Sequence, residues 1–281
     1  MVQHIQRIGV VAPAGRLEEA VAERVAQIAL ERFRNSVALE FHPQCFKRAG
    51  HFAGTDAERS SALVEFANNC DLNAIWFARG GYGSIRIVDS VLSQLGPAAR
   101  LKTYLGYSDL GSLLGALYAN GFTRVAHGPM PADISREGGD VSVVRALEYL
   151  SSGASSTIEP NVQTGEKAVA FNLTILSRLI GTPYFPELTG HVVLLEEVSE
   201  YMYSIDRTLA HLTSYPPFRK IAGLRLGRCS LIPPNEPEFG QSALEVVQHW
   251  CKKSGIRFLG LADIGHDVDN KIVPFGADLV S

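Results

Sequence analysis

Three kinds of residue in the 281-residue sequence could support nucleophilic catalysis: a serine at a predicted turn, and histidines and carboxylates near predicted strand ends. The serine is Ser108, in the stretch 105–111, where a short β-like run precedes an apolar, helix-like run. A serine at a strand-to-helix corner has the geometry of a nucleophile elbow, and Gly106 allows the sharp turn. The pattern misses Gly-x-Ser-x-Gly by one position. From this heptapeptide alone, a tight turn with a Ser-Asp helix cap is the simpler interpretation.

A nucleophilic serine needs a base, and an acid that orients the base. Two of the eight histidines lie where catalysis could use them: His127 at the end of a predicted strand and His266 in a glycine-containing loop. Four carboxylates lie at or near predicted strand ends: Asp109, Glu196, Glu197 and Glu200. Neighbouring side chains on a strand point to opposite faces, so only one of Glu196 and Glu197 can face a given cleft. Spacing alone does not choose among these candidates.

The glycine-rich segment 79–83 follows a predicted strand and has three possible interpretations. A dinucleotide site would require Gly-x-Gly-x-x-Gly, and the third glycine is missing. An oxyanion loop requires only one free backbone amide near the elbow, which Gly81 could supply. A plain strand-to-helix turn explains the composition about as well.

The elements that must position these residues alternate between strand and helix in the first half of the chain. Apolar runs predict strands near 8–12, 37–41, 74–78, 103–106 and 124–127, with helical spacing between them, including a helix over 84–94. This rhythm predicts a doubly wound parallel sheet, in which functional groups collect beyond the carboxyl ends of the strands. A linker over 151–168 would separate this domain (1–150) from a smaller α/β domain with a mixed sheet (169–281). Pro274 indicates that the last strand lies at an edge.

Composition narrows the class of protein. A hydrophobic fraction of 46%, 20% charged residues and a net charge of −3 are typical of a globular protein without a nucleic-acid or membrane-surface footprint. No secretory signal or membrane-length apolar run is recognised, and four scattered cysteines favour reduced thiols. We therefore expect a cytoplasmic protein that binds no metal and no cofactor.

Short motifs along nearly the whole chain resemble those of the LD-carboxypeptidases (muramoyltetrapeptide carboxypeptidases), in the same order. They are the segments 11–13, 53–56, 79–83, 106–109, 127–130, 195–198 with 205–207, and 265–266. The chain departs from the family at Ala170-Phe171, where the family usually has two glycines, and at Glu197, where it commonly has aspartate.

The resemblance implies a serine peptidase with Ser108 as nucleophile, Glu196 as orienting acid and His266 as base. It also implies an oxyanion hole formed by the backbone amides of Gly81 and Asp109. The fold it implies is an N-terminal parallel α/β domain joined to a smaller C-terminal domain, with the site in the cleft between them.

The implied substrate is a murein tetrapeptide, from which the terminal D-alanine is released during cell-wall recycling. A carboxypeptidase must bind a free carboxylate, and an arginine fork suits that role. Arg79 is our candidate, although it could instead pair with a structural carboxylate. A second group in the family resembles the microcin C self-immunity hydrolases, which cleave peptidyl-nucleotides; the compact linker favours the murein substrate. A homodimer is expected by the same resemblance, and a non-catalytic α/β ligand-binding protein is the alternative from another class.

Overall fold

The computed structural model describes residues 5–34, 36–162 and 165–276. It contains two β-sheets with helices packed on them. The strands are β1 (Gln6–Val11), β2 (Val37–Phe41), β3 (Ala74–Phe77), β4 (Thr103–Gly106), β5 (Val125–His127), β6 (Ala168–Asn172), β7 (Val192–Val198), β8 (Gly223–Ser230), β9 (Phe258–Leu261) and β10 (Val273–Pro274). The α-helices are α1 (Glu19–Phe33), α2 (Asp56–Asn68), α3 (Val88–Leu92), α4 (Gly111–Ala119), α5 (Gly139–Ser152), α6 (Leu173–Leu179), α7 (Met202–Ser214) and α8 (Ala243–Ser254).

The larger sheet has six strands in the order β10-β5-β4-β3-β1-β2. Strands β1 to β5 are parallel, and every residue of β3 is buried, as expected for a strand covered by helices on both faces. The chain adds β2 on one side of β1 and then crosses over to add β3 on the other side, so the strand order reverses between β1 and β3. In sheets of this type, ligands bind beyond the carboxyl ends of the strands at that point. A ligand site is therefore expected among the segments after β1, β3 and β4.

The predicted fold class is confirmed, with one correction of detail. The smaller sheet, in the order β6-β7-β8-β9, is entirely parallel and not mixed, because a helix connects each strand to the next. The antiparallel strand is β10, which returns to the larger sheet and pairs with β5. It lies at the edge, as Pro274 requires. The helix predicted over 84–94 forms as a 3₁₀ turn over Ser84–Ile87 followed by α3.

Apolar contacts join the two sheets, since one buried cluster contains side chains from both. Helix α4 packs on α6, where a Cβ at Gly111 would lie 3.1 Å from Ile175. The last part of the chain, 263–276, runs from the smaller sheet back to the larger one. Residues beyond β4 and residues beyond β9 are thereby brought to one region. The boundaries at residues 150 and 169 stay a prediction.

Candidate active site

Ser108 lies at the turn between β4 and α4, as predicted. Its φ angle is +61°, in the left-handed region that is uncommon for a residue with a side chain and that characterises a nucleophile elbow. The 3₁₀ turn over Ser108–Leu110 and helix α4 have no side-chain cap, so the Ser-Asp cap is not formed. Asp109 instead accepts a hydrogen bond from the Ser84 amide at 2.9 Å. The backbone conformation therefore matches the elbow hypothesis.

The segment 79–83 lies directly against Ser108. A Cβ added to Gly80 would be 3.0 Å from both Cβ and Oγ of Ser108, so this close approach requires glycine. Gly81 has a φ of +113°, and its amide donates no hydrogen bond to another described residue. The Gly80 carbonyl accepts from the Gly15 amide at 3.1 Å, which fixes the loop. Glycine at position 80 thus brings the backbone close to the serine, and glycine at position 81 allows the positive φ there.

Glu196 and His266 form a buried pair. The Glu196 side chain has no exposed surface, and its Oε2 lies 2.5 Å from Nδ1 of His266. Burial alone would lower the pKa of His266, but the charge and hydrogen bond of Glu196 reverse this and raise the pKa above its ordinary value. The other ring nitrogen, Nε2, is buried and has no hydrogen-bond partner in the part of the chain that the structure describes. This nitrogen is free for a second interaction.

His127, the competing histidine, has different surroundings. It is buried at the end of β5, and its Nε2 lies 3.1 Å from Oδ1 of Asn270. Burial lowers its pKa to about 4, against the opposing effects of Glu196 and Asn270. His127 is therefore neutral at physiological pH and bonded to an amide side chain.

The adjacent carboxylate Glu197 faces a different set of groups. Its two oxygens accept hydrogen bonds from the side chain of Asn172 at 2.6 Å, from the amide and hydroxyl of Thr174 at 3.0 and 2.7 Å, and from the Val198 amide at 2.9 Å. Glu200 lies just beyond the end of β7 and is half-buried. The alternation along β7 therefore turns Glu196, and not Glu197, toward His266.

Ser108 and His266 line the same cavity of about 520 Å³ at the carboxyl ends of the larger sheet's strands. The two side chains are not hydrogen-bonded to each other in this structure. Gly80, Gly81 and Arg79 also line the cavity. Arg79 is exposed, and its guanidinium donates to the Arg16 carbonyl at 3.4 Å. The structure thus brings together the predicted serine, histidine, glycine and arginine, with Glu196 behind the histidine.

The cavity wall carries a polar cluster that was not predicted from the sequence, formed by Tyr107, Asp133 and Arg136. The Tyr107 hydroxyl donates to Oδ1 of Asp133 at 2.7 Å, and Arg136 donates to the same oxygen from Nε at 3.0 Å. The Tyr107 ring lies 4.8 Å from the His266 ring, centroid to centroid. The only signal in the sequence was proximity: Tyr107 precedes Ser108, and Asp133 follows the 127–130 motif.

A second polar cluster that was not predicted from the sequence fixes the loop that carries His266. The Arg228 guanidinium bonds Asp263 at 2.5 Å and makes a two-pronged contact with Asp267, with one bond at 2.8 Å. These two aspartates flank the histidine in sequence. Asn270 accepts from the Gly265 amide at 3.2 Å. The loop is therefore fixed by charge and hydrogen bonds as well as by packing.

Two features of the described residues bear on alternative functions. Within 5–34, 36–162 and 165–276, no group of three or more His, Cys, Asp or Glu side chains is arranged to hold a metal ion. None of the helices in those ranges has the length and apolar character required to cross a bilayer.

A parallel α/β fold with a serine on a strand-to-helix turn, and an imidazole–carboxylate pair across the same cavity, defines a hydrolase-like class of protein. Family models of the LD-carboxypeptidase N-terminal and C-terminal domains match residues 8–128 and 167–280. The chain belongs to the LD-carboxypeptidase family, and it is thus a member of a peptidase family.

The relatives include the murein tetrapeptide carboxypeptidase of Pseudomonas aeruginosa, 24% identical over 98% of this chain and 92% of that protein. The fold is similar to the crystal structure of muramoyltetrapeptide carboxypeptidase from Oxalobacter formigenes, with a TM-score of 0.83, 24% identity and coverage of 96% of this chain and 93% of that chain. It is also similar to the microcin C7 self-immunity protein MccF in complex with glutamyl sulfamoyl guanosine, with a TM-score of 0.78, 18% identity and coverage of 98% and 97%.

Proposed function

We propose that this protein is a serine carboxypeptidase that hydrolyses the L,D-amide bond of murein tetrapeptides and releases the terminal D-alanine. The observation that carries the proposal is the pairing of Glu196 with His266 at 2.5 Å on the wall of the cavity that also contains Ser108. Membership in the LD-carboxypeptidase family and similarity to the murein tetrapeptide carboxypeptidase of Pseudomonas aeruginosa support the choice of substrate.

In the proposed mechanism, Nε2 of His266 accepts the proton of Ser108 as Oγ attacks the scissile carbonyl. Glu196 holds the Nδ1–H tautomer and stabilises the imidazolium that forms. His266 then gives the proton to the leaving nitrogen, D-alanine departs and an acyl-enzyme remains. Water, activated by the same histidine, hydrolyses that ester. The charge of Glu196 raises the pKa of His266, which makes the imidazole a stronger base toward the serine hydroxyl.

The oxyanion of the tetrahedral intermediate would be bound by the amides of Gly81 and Asp109. Two observations support this role: Gly80 lies in close contact with Ser108, and the Gly81 amide has no acceptor among the residues that the structure describes. Removing one such donor commonly costs about 3 kcal/mol of transition-state stabilisation.

The direct test is hydrolysis of a murein tetrapeptide, with release of D-alanine followed by chromatography. Ser108→Ala should abolish turnover and labelling by a fluorophosphonate while leaving the circular dichroism spectrum unchanged. His266→Ala should be inactive and His127→Ala active. Near-normal turnover by Ser108→Ala, or the reverse result for the two histidines, would contradict the mechanism. Failure of the wild-type protein to form a serine adduct would favour a non-catalytic binding protein.

The MccF-like fold supports one alternative substrate, a peptidyl-nucleotide. Parallel assays with a tetrapeptide and with a peptidyl-adenylate analogue separate the two substrates, because the same serine would cleave either. We expect a higher kcat/KM for the tetrapeptide. A preference for the nucleotide conjugate would replace the murein proposal while leaving the catalytic mechanism in place.

We further propose a cytoplasmic location, from the scattered cysteines that favour reduced thiols, and a homodimer, from the family resemblance. Light scattering on the purified protein tests the dimer, and a single mass near 30.5 kDa would exclude it. Fractionation of the producing cells tests the location.

A further inference from the structure

The cavity wall beside Ser108 carries a second cation, Arg136, in a fixed position. Its Nε donates to Oδ1 of Asp133 at 3.0 Å, and its Nη2 lies 3.3 Å from the hydroxyl of Tyr107. The side chain is 36% exposed, and its Nη1 has no hydrogen-bond partner among the described residues. Part of the guanidinium fork therefore stays available to a ligand in the cavity.

We propose that Arg136 binds the free carboxylate of the substrate's C-terminal residue and so makes the enzyme a carboxypeptidase. This inference rests on the proposed function, since it assigns a substrate group to that same cavity. Its ligand class is a peptide with an unblocked α-carboxylate beyond the scissile bond.

The position of His266 indicates that the α-carboxylate of a bound substrate would lie on the side of the cavity that carries Arg136. The histidine must protonate the leaving nitrogen, so the leaving residue lies next to the imidazole. The α-carboxylate of that residue is only two bonds from the nitrogen. The Tyr107 ring lies 4.8 Å from the His266 ring, and its hydroxyl contacts Arg136. Tyr107 thus connects the general acid to the cation that would bind the carboxylate.

The bonds that hold Arg136 leave it able to bind an anion. The charge of Asp133 is shared among several donors, because its Oδ1 also accepts from the Tyr107 hydroxyl and its Oδ2 accepts from the Met130 amide at 2.8 Å. Asp133 therefore orients the guanidinium without being its sole counter-ion. A guanidinium that is already oriented loses less conformational entropy when a carboxylate binds.

Arg79, the arginine named from the sequence, differs in its anchoring. It lines the same cavity but is exposed, and its contact is to the carbonyl of Arg16 at 3.4 Å. Among the described residues it has no carboxylate or hydroxyl that fixes the plane of its guanidinium. Arg79 consequently represents the competing assignment in the experiment.

The experiment compares a tetrapeptide that ends in free D-alanine with the same peptide ending in D-alaninamide. Arg136→Gln keeps a donor for Asp133 but removes the positive charge. We expect it to lower kcat/KM for the free acid by about 10- to 100-fold, the usual effect of losing a hydrogen bond to a charged group. The amide substrate should change by less than about threefold, because it offers no charge to bind. Arg136→Lys should recover part of the loss.

Arg79→Gln should leave the preference for acid over amide unchanged, and Arg100→Gln, which lies outside the cavity, serves as the control for a lost surface charge. Equal losses on both substrates with Arg136→Gln would show a structural role and overturn the inference. A selective loss with Arg79→Gln alone would also overturn it and assign the carboxylate to Arg79. If the wild-type protein cleaves neither peptide, the proposed function fails and the inference fails with it. Thermal melting identifies a variant that does not fold, and the acid-to-amide ratio of Arg136→Lys then decides.

Discussion

Two adjacent glutamates on β7 provide the sharpest test of the site, because they are chemically identical and face different groups. Glu196→Gln removes the charge that lies 2.5 Å from Nδ1 of His266. An amide at this position can present its NH₂ to the ring, which favours the tautomer that cannot accept a serine proton. The lost charge also no longer stabilises the imidazolium. We expect kcat/KM to fall by about 10²- to 10⁴-fold, which corresponds to about 3 to 5 kcal/mol of transition-state stabilisation.

The pH dependence of this variant has a defined sign. In the wild-type protein, burial lowers the pKa of His266 and Glu196 raises it above its ordinary value. The base must be neutral to act, so activity is lost as the pH falls through that raised pKa. Without the charge of Glu196, burial dominates and the pKa of His266 falls. The acid limb of the residual kcat/KM should therefore move to lower pH.

Glu197→Gln is the matched control. Glu197 accepts four hydrogen bonds, and a glutamine oxygen can accept only two of them. An NH₂ in place of Oε2 leaves the Thr174 amide unsatisfied, while the Thr174 hydroxyl can turn to accept from it. Each unsatisfied donor costs about 1 to 3 kcal/mol. Burial raises the pKa of Glu197, so removing a buried charge offsets part of this cost. We expect a net loss of about 2 kcal/mol in the free energy of unfolding, or roughly 4 to 8 °C in Tm, with kcat/KM changed by less than tenfold.

The assay combines D-alanine release with thermal melting for both variants. Their effects should be crossed: Glu196→Gln inactive but near the wild-type Tm, and Glu197→Gln active but less stable. An active Glu196→Gln protein with its acid limb unmoved would refute the role of Glu196. Loss of activity at normal Tm in Glu197→Gln would reverse the assignment of the two carboxylates.

Three further predictions follow from the same structure. Ser108→Gly and Ser108→Ala should both be inactive, but the glycine variant should be more stable by about 1 kcal/mol, since φ is +61°; equal denaturation midpoints would show that the elbow is not strained. Burial lowers the pKa of His127 to about 4, so between pH 6.5 and 4 only the unfolded chain binds this proton, and the free energy of unfolding falls by about 3 kcal/mol over that range. His127→Gln should abolish this part of the acid sensitivity. Unchanged acid sensitivity in urea melts would contradict this. Arg228→Met should lower kcat/KM by about tenfold by releasing the two aspartates that flank His266, and Arg228→Lys should restore part of the rate; full activity of the methionine variant would exclude a positioning role.

Some elements of the fold could be predicted from local sequence patterns, and others could not. The buried run of β3 and the apolar stripe that became α4 were recognisable, because their periodicity reflects the faces that each element buries. Pro274 correctly predicted an edge strand, because proline has no amide to donate to a neighbour. The sheet to which that strand belongs was not predictable, since β10 pairs with a partner almost 150 residues earlier in the chain. The parallel character of the smaller sheet has a local origin instead, since a helix separates each of its strands from the next.

Local sequence patterns were sufficient to predict the strand-to-helix turn around Ser108 and the fold class, and ordered motifs identified the candidate residues Glu196 and His266. These properties depend on local backbone geometry and on hydrophobic period, which neighbouring residues encode. The packing of the two sheets was needed to show that Glu196 faces His266 while Glu197 faces Asn172, and that His127 bonds Asn270. The same packing brings together the cluster of Tyr107, Asp133 and Arg136, and it places Arg228 in ion pairs with the loop that carries His266. The physical reason is that hydrogen bonds and ion pairs across a cavity join residues far apart in the chain, and their partners depend on how the sheets pack, which no local pattern records.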